Sequence, residues 1–571
     1  MKSKFQSRVR LLFLFVATAA LILVANLYVI QISKGEIYKE KAERQYVSPS
    51  ESVFDRGNIN FSSKDGTIIS AATLKSGFIL AVNPKKLKNP QDAYRRLSAI
   101  MPIDEAKFLA KSSKKDDSHE EIEKRISDDK AEKISSLQIA GVELSRENWR
   151  IYPGGKMAAN TLGFVGYNGN SISGRYGLER YYEDILKRSG DSAYVNFFAE
   201  IFSNINKVVS QGDRREGDID TAIDPVLQSF FENELASTTD KWHSKLTLGL
   251  IMNPMNGEIY SIAVNPTFDP NAYGSEPDVK IFINPVAENL YEMGSIIKPL
   301  TMAAGLDSGA VTADTTYNDK GFLTLNKSTI SNYDHKGNGI INMQEVLNKS
   351  VNTGAAFVVS KMGKENFAKY MIDFGLGNET GIDLPNEVVG NISNLKSPRD
   401  IEYATASFGQ GIAMSPIATA RALSALANGG TLVFPHIVKK INYKIGLSKN
   451  ISYDDTENKR VIKKETSDEI TRMLVKVVDT ALLNGTVKIP NYSVAAKTGT
   501  AQIAKLGARG YYNDRYLHSF FGYFPAYNPR FLIFLLTLEP KGASYASNTL
   551  TAPFMDTVKF LINYYEVPPD R

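Results

Sequence analysis

The sequence predicts an α+β protein in three parts: an N-terminal transmembrane helix, a mixed α/β domain and a C-terminal domain in which helices flank an antiparallel sheet. Three observations lead to this fold class. A long apolar stretch lies near the N-terminus, short elements with polar interruptions follow it, and the C-terminal part has strand-like segments around a helical middle. At 571 residues the chain is too long for one ordinary domain. We divide it into a cytoplasmic tail (1–10), a transmembrane helix (11–32), a mixed domain (33–238) and a C-terminal domain (239–571).

The N-terminal apolar stretch has the length of a membrane anchor. Residues 11–32 are almost unbroken in apolar character, and about 20 such residues span the hydrocarbon core of a bilayer. A cleaved signal peptide is the alternative, but its apolar region is shorter, about 7–15 residues, and ends at a small-residue cleavage site. Basic residues before the span favour a cytoplasmic N-terminus, with the rest of the chain on the extracytoplasmic side. They are Lys2, Lys4, Arg8 and Arg10.

The segment 33–238 has the pattern of a platform rather than a catalytic core. Its elements are short and mixed, with many polar interruptions. Residues 111–133 are so highly charged that we expect a solvated helix or a mobile hairpin, with a protein-contact role as the alternative.

The C-terminal domain is predicted from strands at both of its ends. Strand-like runs at 246–252 and 258–264 indicate a β-hairpin, because the residues between them include Pro and Asn-Gly, which favour turns. Apolar residues at helical spacing follow over 343–371 and 417–428. The pattern then returns to strands and closes with a helix, in the segments 494–500, 518–524, 531–538 and 549–565. We expect one antiparallel sheet that forms only when both ends of the domain are present.

The composition excludes several classes of site. The chain has no cysteine, and therefore no disulfide, no thiolate nucleophile and no Cys-ligated metal. Its five histidines are scattered without the spacing of metal ligands. Acidic and basic residues nearly balance to a net charge of +5, with no polybasic block of the kind that binds nucleic acid. We expect no metal, no other cofactor and no nucleic-acid partner.

Three short motifs in a fixed order indicate an acyl-transferring serine enzyme. Each motif alone is weak evidence, because a Ser three residues before a Lys arises by chance in a chain of this size. Together they place a nucleophile, a base and a carboxylate-binding cation in the C-terminal domain. The motifs are Ser295-Ile296-Ile297-Lys298, Ser350-Val351-Asn352 and Lys497-Thr498-Gly499-Thr500.

Ser295 and Lys298 are the predicted nucleophile and base. Because they are three residues apart in a helix, their side chains share one face, close enough for the lysine to take the serine proton. A lysine acts as a base only if its pKa falls from about 10.4, through desolvation or a nearby positive charge such as Lys497. Pro299 must lie in the first helical turn, which places Ser295 at the N-terminus of the helix.

Ser350 and Asn352 are predicted to serve the reaction from a short loop or helix start. With one residue between them, both polar side chains can point the same way. Ser350 can relay a proton to a leaving amine, and Asn352 can orient Lys298 and hold the amide of the substrate. Taken alone, this pair of residues is more often a turn or a helix cap.

The third motif is predicted to bind a terminal carboxylate from a strand. Lys497 supplies the positive charge, and the hydroxyls of Thr498 and Thr500 supply hydrogen-bond donors. Gly499 weakens a strand unless something approaches its backbone closely, and a substrate laid alongside as an extra strand is such a partner. The alternative is an edge strand kept soluble by Lys and Thr.

Beyond these motifs, the chain resembles the class B penicillin-binding proteins over nearly its whole length. The resemblance implies a pedestal domain at 33–238, followed by a transpeptidase domain with the penicillin-binding or β-lactamase-like fold. Two positions depart from the family pattern: Met293 stands where Pro is common, and Asn160 where His is common. The similar segments are 54–59, 150–153 and 174–179 in the pedestal and 220–224, 268–271, 381–385 and 409–411 in the core.

The activity implied by this resemblance is that of a peptidoglycan D,D-transpeptidase. Ser295 would attack a stem pentapeptide ending in D-Ala-D-Ala, release D-alanine and pass the acyl group to an amine on a neighbouring stem. By the same resemblance Lys298 is the base, and the backbone N–H groups of Ser295 and Thr500 form the oxyanion hole. β-Lactams would acylate the same serine.

The resemblance also implies a location and partners. We expect a single-pass protein of the bacterial inner membrane with a periplasmic catalytic domain. Its expected partners are a polytopic glycan polymerase and other membrane proteins of the divisome. The compact pedestal favours a role at the septum, with an elongation-type role as the alternative.

Other activities of the same fold stay open as alternatives. A β-lactamase needs a base for deacylation, and Glu387 lies downstream of Asn352 at a plausible distance, but it directly follows a segment similar to the transpeptidases. A D,D-carboxypeptidase differs only in using water as the acceptor. A sensor or scaffold would be acylated by penicillin without cross-linking anything.

Overall fold

The structure, a computed structural model, describes residues 54–168, 171–188, 216–451, 459–505, 507 and 510–571, together with residues 18 and 23. The predicted span at 11–32 lies outside the described residues except for Thr18 and Leu23, which are helical. Within the described ranges, no helix has both the length and the apolar character needed to cross a membrane. By its contacts the chain forms two units. The first contains residues 77–147, and the second contains residues 55–76 and 148–189 and nearly all that follows.

The described residues form the following strands and helices. The strands are β1 (Ile59–Ser62), β2 (Ile68–Val82), β3 (Glu120–Ile126), β4 (Val142–Ile151), β5 (Val165–Asn168), β6 (Ser171–Gly174), β7 (Gly217–Thr221), β8 (Leu246–Met252), β9 (Ile259–Asn265), β10 (Thr316–Asp319), β11 (Phe322–Leu325), β12 (Ser328–Ser331), β13 (Gly339–Asn342), β14 (Val438–Tyr443), β15 (Lys449–Asn450), β16 (Ala495–Ala504), β17 (Tyr511–Phe524) and β18 (Phe531–Leu538). The α-helices are Pro90–Ser98, Glu105–Ser112, Asp128–Ser136, Ala159–Leu162, Gly177–Tyr181, Glu183–Leu186, Pro225–Trp242, Pro285–Glu288, Lys298–Asp307, Met343–Asn348, Asn352–Met362, Lys364–Asp373, Asp400–Ala406, Pro416–Ser424, Lys464–Lys476, Ala546–Thr549 and Thr551–Tyr564. Short 3₁₀ helices are Pro270–Ser275, Val279–Phe282, Gly294–Ile297, Ser393–Lys396 and Leu482–Gly485, and Val477–Ala481 is a π-helix.

The unit at 77–147 is a small α/β layer. The end of β2 pairs with β3 in antiparallel fashion, and Phe78 lies opposite Ile126. Two of its helices begin at side-chain caps, because Asn89 and Asp104 each accept a hydrogen bond from a backbone N–H in the first turn. The highly charged segment 111–133 forms the end of one helix, β3 and the start of another. Its buried core is small and includes Leu80, Val82, Leu97, Phe108, Ile122 and Ile134.

In the second unit, a first sheet has the order β15-β14-β7-β1-β2. Next to it lies a buried group of charges. Glu179 is fully buried. Its carboxylate accepts hydrogen bonds from Arg56 Nε and Arg150 Nε, each at 2.6 Å, and from the hydroxyl of Tyr152 at 3.1 Å. Arg56 Nη2 also lies 2.7 Å from the carboxylate of Glu183. The segments that resemble the pedestal motifs therefore meet at one buried carboxylate.

A second sheet of this unit positions the functional motifs. Its five antiparallel strands have the order β16-β17-β18-β8-β9, so the hairpin near the start of the domain pairs with strands from its end. The helices Pro225–Trp242 and Thr551–Tyr564 cover one face, where Phe231 and Phe554 are completely buried. This arrangement is the sheet that the sequence predicts, with strands from both ends of the domain. Strand β16 lies at its edge.

The helical middle is more broken than the sequence pattern suggests. The run predicted at 343–371 is divided into Met343–Asn348, Asn352–Met362 and Lys364–Asp373. The breaks fall at Ser350, with φ of 54°, and at Gly363, with φ of 83°. A residue in this left-handed region cannot continue an α-helix. The first break is the one that matters for function, because it holds the Ser-Val-Asn motif.

Candidate active site

The predicted nucleophile lies on a tight turn ahead of a buried helix. Ser295 is part of the 3₁₀ turn Gly294–Ile297, which leads directly into the helix Lys298–Asp307, with Pro299 in its first turn. Gly294 adopts φ of 64°, and a Cβ there would lie 3.0 Å from the carbonyl oxygen of Thr500. The turn can approach strand β16 this closely because the position has no side chain.

The two motif lysines meet at the hydroxyl of Ser350. Lys298 is only 1% exposed, and its Nζ donates to the carbonyl oxygen of Ser350 and, at 3.2 Å, to Ser350 Oγ. Lys497 is 3% exposed, and its Nζ donates to Ser350 Oγ and to the carbonyl oxygen of Thr498, each at 3.0 Å. The three motifs are therefore joined through one serine side chain.

Burial favours the neutral form of both lysines. It lowers the pKa of Lys298 well below its ordinary value of 10.5, and the charge of Lys497 lowers it further. Burial also lowers the pKa of Lys497, to about 7. The expected cause of a depressed lysine pKa, desolvation together with a neighbouring positive charge, is present at Lys298.

Two contacts differ from the sequence-based expectation. Within the described residues, the Ser295 hydroxyl makes no hydrogen bond, and Lys298 is directed to Ser350 instead of to Ser295. Among the described residues no hydrogen bond joins Asn352 to Lys298, and Asn352 Nδ2 donates to the carbonyl oxygen of Ser331 at 2.9 Å. Helical spacing alone did not reveal these partners, because they come from a loop and a strand distant in sequence.

The Lys-Thr-Gly-Thr motif lies on β16, with the open edge of the sheet beside it. Gly499 lies close to other parts of the protein, because a Cβ at this position would lie 2.4 Å from Ser519 Oγ and 2.8 Å from the carbonyl oxygen of Met293. The close neighbour of Gly499 is thus the nucleophile turn of the protein itself. Thr500 Oγ1 accepts a hydrogen bond from the backbone N–H of Ala546 at 3.0 Å, which ties the hydroxyl to the start of the helix Ala546–Thr549.

A cleft of about 900 Å³ gathers most of the predicted site residues. Ser295, Ser350, Asn352, Lys497, Thr498 and Thr500 all line it. The cleft also contains aromatic residues that the motifs do not reveal. Tyr333 and Tyr545 pack edge to face with ring centres 5.5 Å apart, and each is about half exposed. Their positions lack a local sequence signal, because each comes from a loop and meets the other only in the folded protein.

Two family models match the chain. The penicillin binding protein transpeptidase domain matches residues 247–558, and the penicillin-binding protein dimerisation domain matches residues 55–213. The chain belongs to the penicillin-binding protein transpeptidase family. The family resemblance seen in the sequence is thereby confirmed, as is an α+β fold in which a transpeptidase domain follows a dimerisation domain. The exact limits 33–238 and 239–571 stay a prediction.

Individual relatives agree with this assignment. Stage V sporulation protein D of Bacillus subtilis (strain 168) is 32% identical over 567 residues, which cover 96% of this chain and 85% of that protein. A probable peptidoglycan D,D-transpeptidase FtsI of Caulobacter vibrioides is 28% identical, with coverage of 81% and 73%. The crystal structure of penicillin binding protein 3 from Mycobacterium tuberculosis, complexed with aztreonam, has a TM-score of 0.67 at 21% identity and covers 91% of this chain and 98% of that chain. This last likeness shows the fold.

Proposed function

We propose that this serine-type D-Ala-D-Ala transpeptidase forms its acyl-enzyme on Ser295. Ser295 Oγ attacks the penultimate D-alanine carbonyl of a stem pentapeptide, the peptide bond breaks and the terminal D-alanine leaves. The amine of a second stem then attacks the ester carbon, and the bond to Ser295 Oγ breaks as the new amide forms. The observation that carries the proposal is the convergence of two buried lysines on Ser350, in the cleft that also contains Ser295.

The proposed proton path uses the lowered pKa values of the lysines. Neutral Lys298 accepts the proton of Ser295 as the nucleophile attacks, a transfer that a fully protonated lysine could not make. Ser350 Oγ, which lies in hydrogen-bond contact with both lysines, passes a proton on to the nitrogen of the departing D-alanine. Without substrate, Lys298 Nζ donates to Ser350 and not to Ser295. Catalytic hydrogen bonds such as the one from Ser295 to Lys298 commonly form only once substrate is bound.

Substrate binding is assigned to the edge strand. A stem peptide laid along β16 adds one antiparallel strand through backbone hydrogen bonds. Its terminal carboxylate then meets Lys497 and the hydroxyls of Thr498 and Thr500. The backbone N–H groups of Ser295 and Thr500 are proposed as the oxyanion hole. Asn352 is proposed to hold the substrate amide.

The fate of a β-lactam tests this assignment. Benzylpenicillin incubated with the full chain should leave a lasting ester on the peptide that contains Ser295, seen by mass spectrometry. Ser295→Ala should carry no adduct, whereas Ser308→Ala, at a serine just beyond the end of the same helix, should be acylated like the wild type. An adduct on a different serine would overturn the proposed roles.

This experiment and two reactions of a stem-peptide mimic separate the alternative activities. A β-lactamase would return unmodified protein and hydrolysed drug over many turnovers. Release of D-alanine from a stem-peptide mimic distinguishes an enzyme from an acylated sensor. Joining of that mimic to an added amine, in preference to water, distinguishes a transpeptidase from a D,D-carboxypeptidase.

We further propose that the chain is anchored in the bacterial cytoplasmic membrane by residues 11–32, with a periplasmic catalytic domain, and acts in septal wall synthesis. The length and flanks of the apolar stretch support the anchor. The short stretch between it and Arg56 supports the septal role, with a polytopic glycan polymerase and other divisome proteins as partners. Protease added to spheroplasts should degrade residues 40–571, and depletion should give filaments with unfinished septa. Protected protein would contradict the anchor, and rounded cells that still divide would favour elongation.

A further inference from the structure

A second groove opens beside the catalytic cleft. It encloses about 560 Å³ and is lined mostly by polar side chains. Lys349 and Val351, which line the groove, are the chain neighbours of Ser350. The strand residues that are proposed to bind the donor carboxylate, Lys497, Thr498 and Thr500, line the cleft and not the groove. The groove leads into the cleft, because five residues line both spaces: Asn332, Tyr333, Asn348, Lys349 and Ala481.

The buried carboxylate of Asp319 fixes one wall of this groove through hydrogen bonds. Asp319 is only 2% exposed and is surrounded by neutral donors. It accepts hydrogen bonds from Nδ2 of Asn332 at 2.9 Å, from Nδ2 of Asn338 at 2.7 Å and from the hydroxyl of Thr353 at 2.7 Å. Asn332 and Asn338 line the groove, and Thr353 follows Asn352 of the catalytic motif. The wall and the motif are thus fixed by the same side chain, and the groove is a built feature of the site.

The charges along the groove suit a cationic ligand. Asp334 and Glu345 bring two carboxylates, and Lys349 is the one cation among the lining residues in the described part of the chain. Glu345 is tied to its own helix, because its Oε1 accepts from Asn348 Nδ2 at 2.7 Å, while Lys349 Nζ lies 3.9 Å from its Oε2. At that separation and exposure the ion pair with Lys349 is weak. The groove keeps a net negative charge at its lining.

We propose that this groove binds the acceptor: a second peptide whose free primary amine attacks the Ser295 ester. The inference rests on the function proposed above, and it adds where the acceptor lies and which carboxylates attract its amine. An alkyl amine has a pKa of about 10.4 and arrives as an ammonium ion. Asp334 and Glu345 attract that ion, and the groove delivers it to Ser350, where the two buried lysines meet.

The chemistry of the second half-reaction is complete with the groups present. The ammonium gives one proton to neutral Lys298, through Ser350 Oγ, and becomes a nucleophile. Its nitrogen attacks the ester carbon and forms the amide bond, while the bond from that carbon to Ser295 Oγ breaks. A second proton of the amine nitrogen passes to Ser295 Oγ, and the third stays as the amide N–H. A bound amine competes with water because it is held near the ester.

The share of the Ser295 acyl-enzyme that reacts with an added amine, and not with water, measures acceptor binding. The full chain, kept in solution with a mild detergent, is acylated with an N-acyl-D-alanine thioester as the donor. The acceptors are an acetylated lysyl-D-alanine peptide, whose amine is charged at pH 7.5, and hydroxylamine, which is neutral there. Mass spectrometry gives the ratio of amide to hydrolysis product for each acceptor. The rate of acylation is recorded for every variant, so that damage to the fold or the donor site is recognised.

Removing either groove carboxylate should lower the ratio for the charged acceptor. For Glu345→Gln and for Asp334→Asn we expect a loss of about threefold to fivefold with the lysyl peptide, the size typical of a partly exposed charge pair. The loss should shrink at high salt. With hydroxylamine the ratio should change less. Asp116→Asn, the same change of charge on an exposed loop of the other unit, should leave every value as in the wild type.

The possible results distinguish failure of the acceptor-groove proposal from failure of the proposed function. If the variants acylate normally and the lysyl peptide is used as well as by the wild type, the groove is not the acceptor site, while the proposed function stands. Equal losses with both acceptors would mean a structural disturbance and would also overturn the inference. If wild-type protein is not acylated on Ser295 at all, the proposed function fails, and the inference fails with it.

Discussion

At the scale of single residues, Ser350 is the group on which the site depends. Its hydroxyl is shared by two buried lysines, and its backbone has φ of 54°, a conformation uncommon for a residue other than glycine. The strained backbone ends one helix before the next begins at Asn352, and it turns the carbonyl oxygen and the hydroxyl of Ser350 toward Lys298. Strain of this kind is often found where a side chain must be held for function.

Lys298→Arg should remove acylation by benzylpenicillin while the protein stays folded. A guanidinium remains protonated at any accessible pH and cannot accept the Ser295 proton. Loss of a general base typically lowers a rate by about 10² to 10⁴-fold. Stopped-flow or mass-spectrometric measurement of the acylation rate gives the value. Lys361→Arg, the same exchange at an exposed position of the helix Asn352–Met362, is the matched control and should acylate normally.

The pH dependence of the wild type follows from the same pair of lysines. Because burial and the charge of Lys497 lower the pKa of Lys298, its neutral form persists to lower pH than that of an ordinary lysine. Acylation should therefore slow when further acidification protonates Lys298, because the base for the Ser295 proton is then lost. Full-rate acylation by Lys298→Arg would contradict the assignment of the base, whatever the shape of the pH profile.

At the scale of elements, the contact between β16 and the nucleophile turn sets the distance from Ser295 to the binding strand. Two glycines make this contact possible, Gly499 on the strand and Gly294 on the turn. The sequence correctly indicates that Gly499 marks a close approach to the strand. It does not indicate what approaches, because the partners Met293 and Ser519 are distant in sequence and only the folded sheet brings them together.

Other elements show the same division between local and distant signals. The hairpin around Asn256-Gly257 and the strand Phe531–Leu538 were predictable, because turn residues and an unbroken apolar run are local features. The division of the run at 343–371 was not, because nothing local distinguishes Ser350 as a left-handed residue. Asp319 and the Tyr333–Tyr545 pair were missed for the same reason, since their roles exist only across loops.

Gly499→Ala should slow acylation without unfolding the domain. The added methyl group would lie 2.4 Å from Ser519 Oγ and 2.8 Å from the Met293 carbonyl oxygen, so the nucleophile turn must move away from the strand. Displacement of a reacting group by about 1 Å can cost about 100-fold in rate, and we expect a loss of about tenfold to a hundredfold. The acylation rate and the thermal midpoint are to be measured together.

The control for this exchange is another glycine with open space around it. A methyl group added at Gly274 would have no atom within 4 Å, and this glycine does not lie in the left-handed region. Gly274→Ala should therefore acylate at the wild-type rate. A Gly499→Ala protein that acylates as fast as this control would show that the contact between turn and strand does not set the position of Ser295.

At the scale of the whole molecule, the catalytic domain shares one unit with segments that come long before it. Residues 55–76 and 148–189 belong with the transpeptidase domain, and they meet at the buried carboxylate of Glu179. Burial raises the pKa of Glu179, but Arg150 and Arg56 outweigh burial, so the pKa lies below its ordinary value of 4.5. A buried carboxylate that stays charged beside two arginines holds these segments in place.

Glu179→Gln should therefore lower the stability of this unit. Removing the shared carboxylate leaves the buried Arg150 without its charged partner and Arg56 with Glu183 alone; loss of one partner of a buried ionic group typically costs about 3–5 kcal/mol. Glu132→Gln, at an exposed position of the helix Asp128–Ser136, is the matched control and should change little. The midpoints of urea unfolding of the full chain, followed by tryptophan fluorescence and by benzylpenicillin acylation, give the comparison.

The pH dependence of that difference tests its electrostatic origin. Since the folded pKa of Glu179 is below the unfolded value, its contribution is fully present above about pH 4.5 and is lost as the pH falls through the folded pKa. The gap in unfolding midpoint between wild type and Glu179→Gln should consequently be constant from about pH 8 to about pH 5 and narrow at lower pH. A gap that persists unchanged into strong acid would mean that Glu179 stabilises the unit through packing, and that the charge on its carboxylate is unimportant.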